Sequence, residues 1–205
     1  MSSCITIVDD FLFEDDLDHI RAVTRPQRGK LDVYGGLQEA DFIRPLLRSA
    51  EANFEAVYGL ELQQVLLRFE GNTGLLHHDL NHRPDRLLSL LYYIDEPDRG
   101  GEIIFPFFDA SGAPTSSNIT KTCTTLWASG QLYSKDPALE QQLLAERSKL
   151  LTVRARSNRA VLIRSDDPAA WHFVCPVEAG QRSCLVVFYQ ERSAQGSASP
   201  ATIPQ

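Results

Sequence analysis

The chain has 205 residues, 43% hydrophobic and 23% charged, a composition that suits one globular domain with a single core. Its formal net charge of −7 repels phosphate backbones and excludes nucleic acid as the expected partner. No apolar stretch approaches the roughly 20 residues of a membrane span, and MSSCITIVDD lacks the basic and apolar regions of a secretory signal. Cys4, Cys123, Cys175 and Cys184 are scattered without metal-ligand spacing, so the expectation is a cytoplasmic protein with reduced thiols.

Ile5–Val8 reads as a short strand. A helix is predicted over about Glu14–Val23, where Leu17, Ile20 and Val23 share a face. A second is predicted between about Asp41 and Tyr58, from the helical spacing of Ile43, Leu46, Leu47, Ala50, Phe54 and Val57 and the stop at Gly59. Pro45 fits that helix best as its first residue. From Gln63 the pattern changes to short apolar runs between turn residues. The predicted strands are 64–69, 75–79, 87–94, 102–105, 150–154, 160–164, 172–177 and 183–189. Such a series describes a sandwich or barrel, with the two leading helices packed on one outer face. The stretch 107–149 interrupts it; it is polar, rich in Ser and Thr, and ends in a predicted helix over about Pro137–Arg147. The domain is expected to span 1–192, and the tail 193–205, poor in apolar residues, is expected to be disordered.

Chemistry concentrates in two places. In His77-His78-Asp79, strand alternation sends His77 and Asp79 to one face and His78 to the other, so an imidazole and a carboxylate share a cation's reach. With a distant second histidine, this donor set is the one that leaves open positions on ferrous iron. Alone, His-x-Asp is a weak signal. The second place is His172, followed by a turn at Glu178-Ala179-Gly180 and then Arg182, which an antiparallel return brings level with His172. A guanidinium there can take a carboxylate through two parallel hydrogen bonds. The competing readings are a satisfied core histidine and a charge at a strand end.

The stretch FEGNTGLLHHDLNHRPDRLLSLLYYIDEPDRGGEIIF (69–105) resembles the core of the prolyl 4-hydroxylase branch of the Fe(II)- and 2-oxoglutarate-dependent oxygenases. It is especially similar to the hypoxia-sensing prolyl hydroxylases and their bacterial relatives. The carrying features are a Gly-rich entry, the His-x-Asp, an Arg before a Ser-containing strand, a Tyr-Tyr pair and Gly-Gly before an apolar strand. The stretch RAVLIRSDDPAAWHFVCPVEAGQRSCLVVFYQ (159–190) resembles the closing pattern of His, Pro-Val, Gly-x-Arg and an aromatic strand.

The resemblance implies a mainly β fold, a double-stranded β-helix or jelly roll with flanking N-terminal helices. It implies iron held by His77, Asp79 and His172, and the distal carboxylate of 2-oxoglutarate held by Arg182 and Tyr93, with Ser89 on the same strand face. Dioxygen is the oxidant and ascorbate a candidate reductant. The implied reaction is hydroxylation of an unactivated C–H, with release of succinate and carbon dioxide. A carboxylate at position 79 speaks against halogenation, because related halogenases carry a small residue there. The expected substrate is amino-acid-like, peptidyl or a small natural product. Phe69 stands where many relatives carry a tyrosine near the cosubstrate. The insertion 107–149 exceeds the family's usual connection and is expected to form a lid or pocket wall, with Trp127 and Tyr133 as candidate substrate contacts; Trp171, just before His172, is a third candidate. Two alternatives stay open: a cupin-like metal dioxygenase or isomerase without 2-oxoglutarate, and a non-catalytic ligand-binding barrel.

Overall fold

The structure, a computed structural model, describes residues 4–27, 33–34, 41–69 and 75–192. The Gly-rich entry at 71–74, the tail 193–205 and the side chain of His82 lie outside the described residues. In chain order the elements are β1 (Ile5–Val8), α1 (Glu14–Thr24), β2 (Val33–Tyr34), α2 (Arg44–Asn53), β3 (Leu60–Phe69), β4 (Leu76–His77), β5 (Arg86–Asp95) and β6 (Arg99–Gly100). There follow β7 (Ile103–Asp109), α3 (Asn118–Ala128), β8 (Tyr133–Ser134), α4 (Pro137–Glu146), β9 (Leu150–Val153), β10 (Arg159–Arg164), β11 (His172–Val174), β12 (Val177–Ala179) and β13 (Ser183–Glu191).

These strands form a six-stranded sheet in the order β1-β10-β5-β13-β3-β2 and a five-stranded sheet in the order β8-β4-β11-β7-β9, with β12 and β6 as a separate pair. All pairings are antiparallel. From β3 to β5, and again from β9 to β13, the chain passes back and forth between the two large sheets, which gives the jelly roll.

Side-chain parity divides the core into layers. On β5, Leu88, Leu90, Tyr92 and Ile94 pack against Leu17, Ile20, Leu46 and Ala50 of the two N-terminal helices. Leu91 and Tyr93 turn the other way, toward Ile103 and Phe105 of the facing sheet. The outer face of the five-stranded sheet, through Leu76, Ile104 and Phe173, is covered by Ile119 and Cys123 of α3 and Leu139 and Leu143 of α4. The order is therefore helices, sheet, sheet, helices. Strands covered on both faces have no polar side to show, which is why they read in sequence as continuous apolar runs.

Local departures have local causes. The second predicted helix is α2 flanked by two 3-10 turns, Asp41–Ile43 and Glu55–Val57; Pro45 lies in the first turn of α2, and Phe54 breaks the run with extended backbone. The strand predicted over 75–79 ends at His77, and Asp79 opens a 3-10 turn over Asp79–His82. Helix α3 was not expected, since Thr and Ser are weak helix formers. It is held by a capping box between Ser117 and Thr120, and Thr122, Thr124 and Thr125 donate back to carbonyls four residues earlier. None of the four cysteines forms a disulfide, and all are buried. Among the described residues no helix is long and apolar enough to cross a membrane.

Candidate metal and cosubstrate site

Strands β4 and β11 are neighbours, with His77 directly opposite His172. Directly opposed residues share a face, and the two imidazole centroids lie 4.3 Å apart. Asp79, two residues past the end of β4 where a 3-10 turn begins, brings its Oδ1 to 3.7 Å from His77 Nε2 and 3.9 Å from His172 Nε2. One ligand atom from each residue falls within 4.8 Å of the other two, the span that a single cation bridges. The three come together although Asp79 is not on a strand.

Hydrogen bonds decide which ring nitrogens are available. His77 Nδ1 donates to the Leu75 carbonyl and His172 Nδ1 to the Ala170 carbonyl, each at 3.0 Å. A carbonyl only accepts, so both protons sit on Nδ1 and both Nε2 lone pairs face Asp79. His78 is committed on both sides: Nε2 donates to the Asp167 carbonyl at 3.0 Å, and Nδ1 accepts from the Leu80 N–H at 3.3 Å. It is fully buried between Trp127 and Trp171 and has no nitrogen left for a metal.

Burial, reinforced by neighbouring His172, pushes the His77 pKa down to about 4. Burial alone would raise Asp79, but His172, His77, the Ser89 hydroxyl and Arg86 together hold it at about 2. At neutral pH His77 is thus neutral and Asp79 ionised, the forms that bind a metal.

The same pocket has a second polar end at Tyr93 and Arg182. Arg182 is buried; one amino group donates to the Gly101 carbonyl at 3.2 Å, while its Nε has no partner among the described residues. The Tyr93 hydroxyl is likewise buried without a partner. Burial raises its pKa against the opposing pull of Arg182, so it stays a protonated donor. Buried donors left unmatched in a native fold call for an explanation. Two of them lining one pocket, one a guanidinium, fit a carboxylate.

The other residues expected at the site take these positions. Ser89 shares the Tyr93 face, but its hydroxyl meets Ser165 Oγ at 3.1 Å and acts on the Asp79 carboxylate, so it serves the ligand residue. Phe69 does not face the pocket: β3 parity turns it, with Val65 and Leu67, toward the helices, and the inward residue is Arg68. Trp171 is fully buried on the outer side of its sheet, among Leu76, Phe173 and the insertion helices. Trp127 spends its ring on His78, centroids 4.8 Å apart, behind the ligand strand. Neither tryptophan lines the pocket. Tyr133 is different. It stands opposite His77 across the β8–β4 pair, on the same face, with 39% of its surface exposed.

Two arginines with no role assigned from sequence now have positions. Arg68 lines the pocket. Arg86 is buried with its guanidinium 3.3 Å over the Phe188 ring, Nε donating to Gln63 Oε1 at 3.2 Å and one amino group to the Asp79 carbonyl at 3.1 Å. Arg68 interrupts an apolar strand and Arg86 opens one, and that was the signal in the sequence.

Donor set, ring tautomers and a pair of unmatched buried donors fit a ferrous site with a carboxylate cosubstrate. The chain belongs to the 2OG-Fe(II) oxygenase superfamily, whose family model matches residues 65–190. Its fold is similar to a viral collagen prolyl hydroxylase from Paramecium bursaria Chlorella virus-1 (13% identity, 92% of this chain and 96% of the other, TM-score 0.56). It is similar also to a Pseudomonas putida prolyl-4-hydroxylase (16%, 93% and 94%, TM-score 0.58). A third similar structure is SnoN, the non-heme α-ketoglutarate-dependent epimerase of nogalamycin biosynthesis (13%, 92% and 79%, TM-score 0.60). At these identities the likeness is one of fold. No curated protein sequence matches the chain.

Proposed function

We propose that this oxygenase hydroxylates an unactivated C–H of an amino-acid-like, peptidyl or small natural-product substrate, with His77, Asp79 and His172 as iron ligands. The carrying observation is that one pocket holds this trio at one end and two unmatched buried donors, Tyr93 and Arg182, at the other. Iron, when bound, supplies dioxygen activation coupled to decarboxylation of 2-oxoglutarate to succinate. The protein's part is positioning and exclusion of water. The planar fork of Arg182 can grip the distal carboxylate through two parallel hydrogen bonds. Tyr93, kept protonated by burial, adds a donor to the same group. Leu91, Val186 and Phe188 line the pocket with hydrocarbon. Hydroxylation, in preference to another oxidative outcome, is supported by the sequence resemblance to prolyl hydroxylases.

The segment 107–149 belongs to the same domain in this reading and acts as a buttress behind the ligand strand. Its β8 pairs with β4, and its helices cover the outer face beneath His77 and His172. Tyr133 is its one candidate for substrate contact.

The test is an aerobic incubation of iron-loaded protein with 2-oxoglutarate across free amino acids and proline-containing peptides. One succinate should form for each product that gains one oxygen atom. Iron-loaded protein that releases no succinate, with or without substrate, would refute the reading.

A further inference from the structure

We propose that Gly101 is a positioning residue for the cosubstrate. Its carbonyl and bare Cα hold one edge of the Arg182 guanidinium, so that the opposite edge, Nε and Nη2, meets the distal carboxylate of 2-oxoglutarate. The inference rests on the proposed function, in which Arg182 takes that carboxylate, and adds what aims it.

The backbone on either side of Gly101 is fixed. Before it, β6 pairs with β12, Gly100 opposite Val177; after it, β7 pairs with β11, Ile103 opposite Val174. Between the two ladders the Gly101 N–H donates to the Pro176 carbonyl at 3.0 Å, and the Glu102 carbonyl accepts from the Cys175 N–H at 2.8 Å. Gly101 is buried, and its φ of +76° is a conformation that side chains with a Cβ rarely adopt. Its own carbonyl accepts from Arg182 Nη1 at 3.2 Å. The arginine stem lies on the same residue. A Cβ on Gly101 would stand 3.3 Å from Arg182 Cδ, 3.2 Å from Pro97 Cγ and 3.3 Å from Val177 Cγ2.

Guanidinium geometry turns these contacts into an orientation. Nη1 is the amino group on the Cδ side, whereas Nε–H and Nη2–H point together the other way as two parallel donors. Gly101 therefore takes the Cδ–Nη1 edge. Arg182 makes no other hydrogen bond among the described residues, and its Nε is buried without a partner. The free edge is a fork that one carboxylate accepts, and the Tyr93 hydroxyl, buried and unmatched in the same pocket, adds a third donor. A methyl at position 101 has to displace one of three close neighbours. A proline ring and a β-branched valine are stiff, so the unbranched arginine stem is the one that yields. Gly101→Ala thus acts on the cosubstrate carboxylate and leaves the metal trio alone.

The experiment titrates Fe(II)-loaded full-length protein under anaerobic conditions with 2-oxoglutarate and with 2-oxopentanoate, which carries a methyl in place of the distal carboxylate. Both are read by the visible charge-transfer band of the ferrous 2-oxo acid chelate. Wild type should prefer 2-oxoglutarate by about thirtyfold or more. In Gly101→Ala that preference should shrink by about tenfold, with 2-oxopentanoate and Co(II) affinities unchanged. Gly130→Ala is the control for backbone strain: its φ is also +76°, nothing lies within 4 Å of its Cβ, and it should keep the full preference. A second measurement needs wild type alone. With Zn(II) in place of iron, the nitrogen–proton resonance of Arg182 Nε, assigned by its loss in Arg182→Lys, should move with 2-oxoglutarate and stay in place with 2-oxopentanoate. The proposal falls if Gly101→Ala keeps the preference, if it weakens both 2-oxo acids equally, if Gly130→Ala loses the preference too, or if the Nε resonance ignores 2-oxoglutarate. If Gly101→Ala does not fold, the Nε resonance decides. A wild type with no preference between the two acids defeats the proposed function; a preference that Gly101→Ala leaves intact defeats only this inference.

Discussion

At the scale of single side chains, His77 and His78 differ in where their ring nitrogens are committed. His77 spends only Nδ1, on the Leu75 carbonyl, whereas His78 spends both nitrogens on backbone groups. His77→Ala, Asp79→Ala and His172→Ala should each abolish turnover and remove the tight metal site, as read by Co(II) titration. His78→Ala should keep the metal and much of the activity but lose stability. It orphans the Asp167 carbonyl and opens a void between two tryptophans, a cost of about 1–3 kcal/mol for the unmatched group alone, measurable by urea unfolding. At the other end, Arg182→Ala truncates one partner of a buried charge pair once 2-oxoglutarate is bound. A loss of about 2–5 kcal/mol, some thirtyfold or more in cosubstrate affinity, is expected from 2-oxoglutarate saturation curves. Tyr93→Phe removes one neutral donor and should cost about 1 kcal/mol. Equal saturation curves for all three proteins would take both residues out of the cosubstrate site.

At the scale of elements, Asp79 depends on a turn that something has to hold. Arg86 does so from β5, donating to the Asp79 carbonyl while its own guanidinium is pinned by Gln63 and the Phe188 ring. Partners behind metal ligands commonly matter by about 10–100-fold in metal affinity. Arg86→Met should therefore weaken Co(II) binding by about tenfold or more, and Arg86→Lys should not restore it, because an ammonium lacks the fork. Unchanged Co(II) affinity would reduce Arg86 to packing. Periodicity alone could not find this turn: a His-x-Asp reads the same on a strand and at a strand end, and the hydrogen bonds that bend the chain come from residues far off in sequence. The insertion teaches a similar lesson. Its second helix was legible from Pro137 and the Leu spacing, but α3 is Thr-rich and depends on its capping box, and the two residues of β8 carry no pattern at all. Replacing 111–148 with a short Gly-Ser link would strip the edge pairing from β4 and uncover Trp171 and Phe173. Such a protein should lose the metal site or unfold, as judged by Co(II) titration and circular dichroism. Retained iron binding and uncoupled succinate release would restore the picture of a detachable lid.

At the scale of the whole molecule, layering explains what the sequence made plain. Strands β5, β10 and β13 are covered on both faces, so their apolar runs were unmistakable; the leading helices showed most of their buried face, but Val23 of the first is exposed and Thr24 is buried instead. The candidate metal trio was legible because two of its residues sit two apart and the third precedes a turn and an arginine. What stayed hidden was parity across strands: which of Arg68 and Phe69 looks inward follows from the pairing of β3 with β13 and not from either residue. The places of Trp127 and Trp171 were hidden for the same reason, since a large aromatic is as well placed to fill the outer core as to meet substrate. The central claim is that one pocket binds ferrous iron through His77, Asp79 and His172 and 2-oxoglutarate through Arg182 and Tyr93. An anaerobic titration of Fe(II)-loaded protein with 2-oxoglutarate tests it directly. Wild type should develop the visible charge-transfer band of a chelated 2-oxo acid at saturation, Arg182→Ala should need far more 2-oxoglutarate to reach it, and His172→Ala should not reach it. A wild-type protein that binds iron but shows no such band, or one whose band is indifferent to His172, would contradict the account.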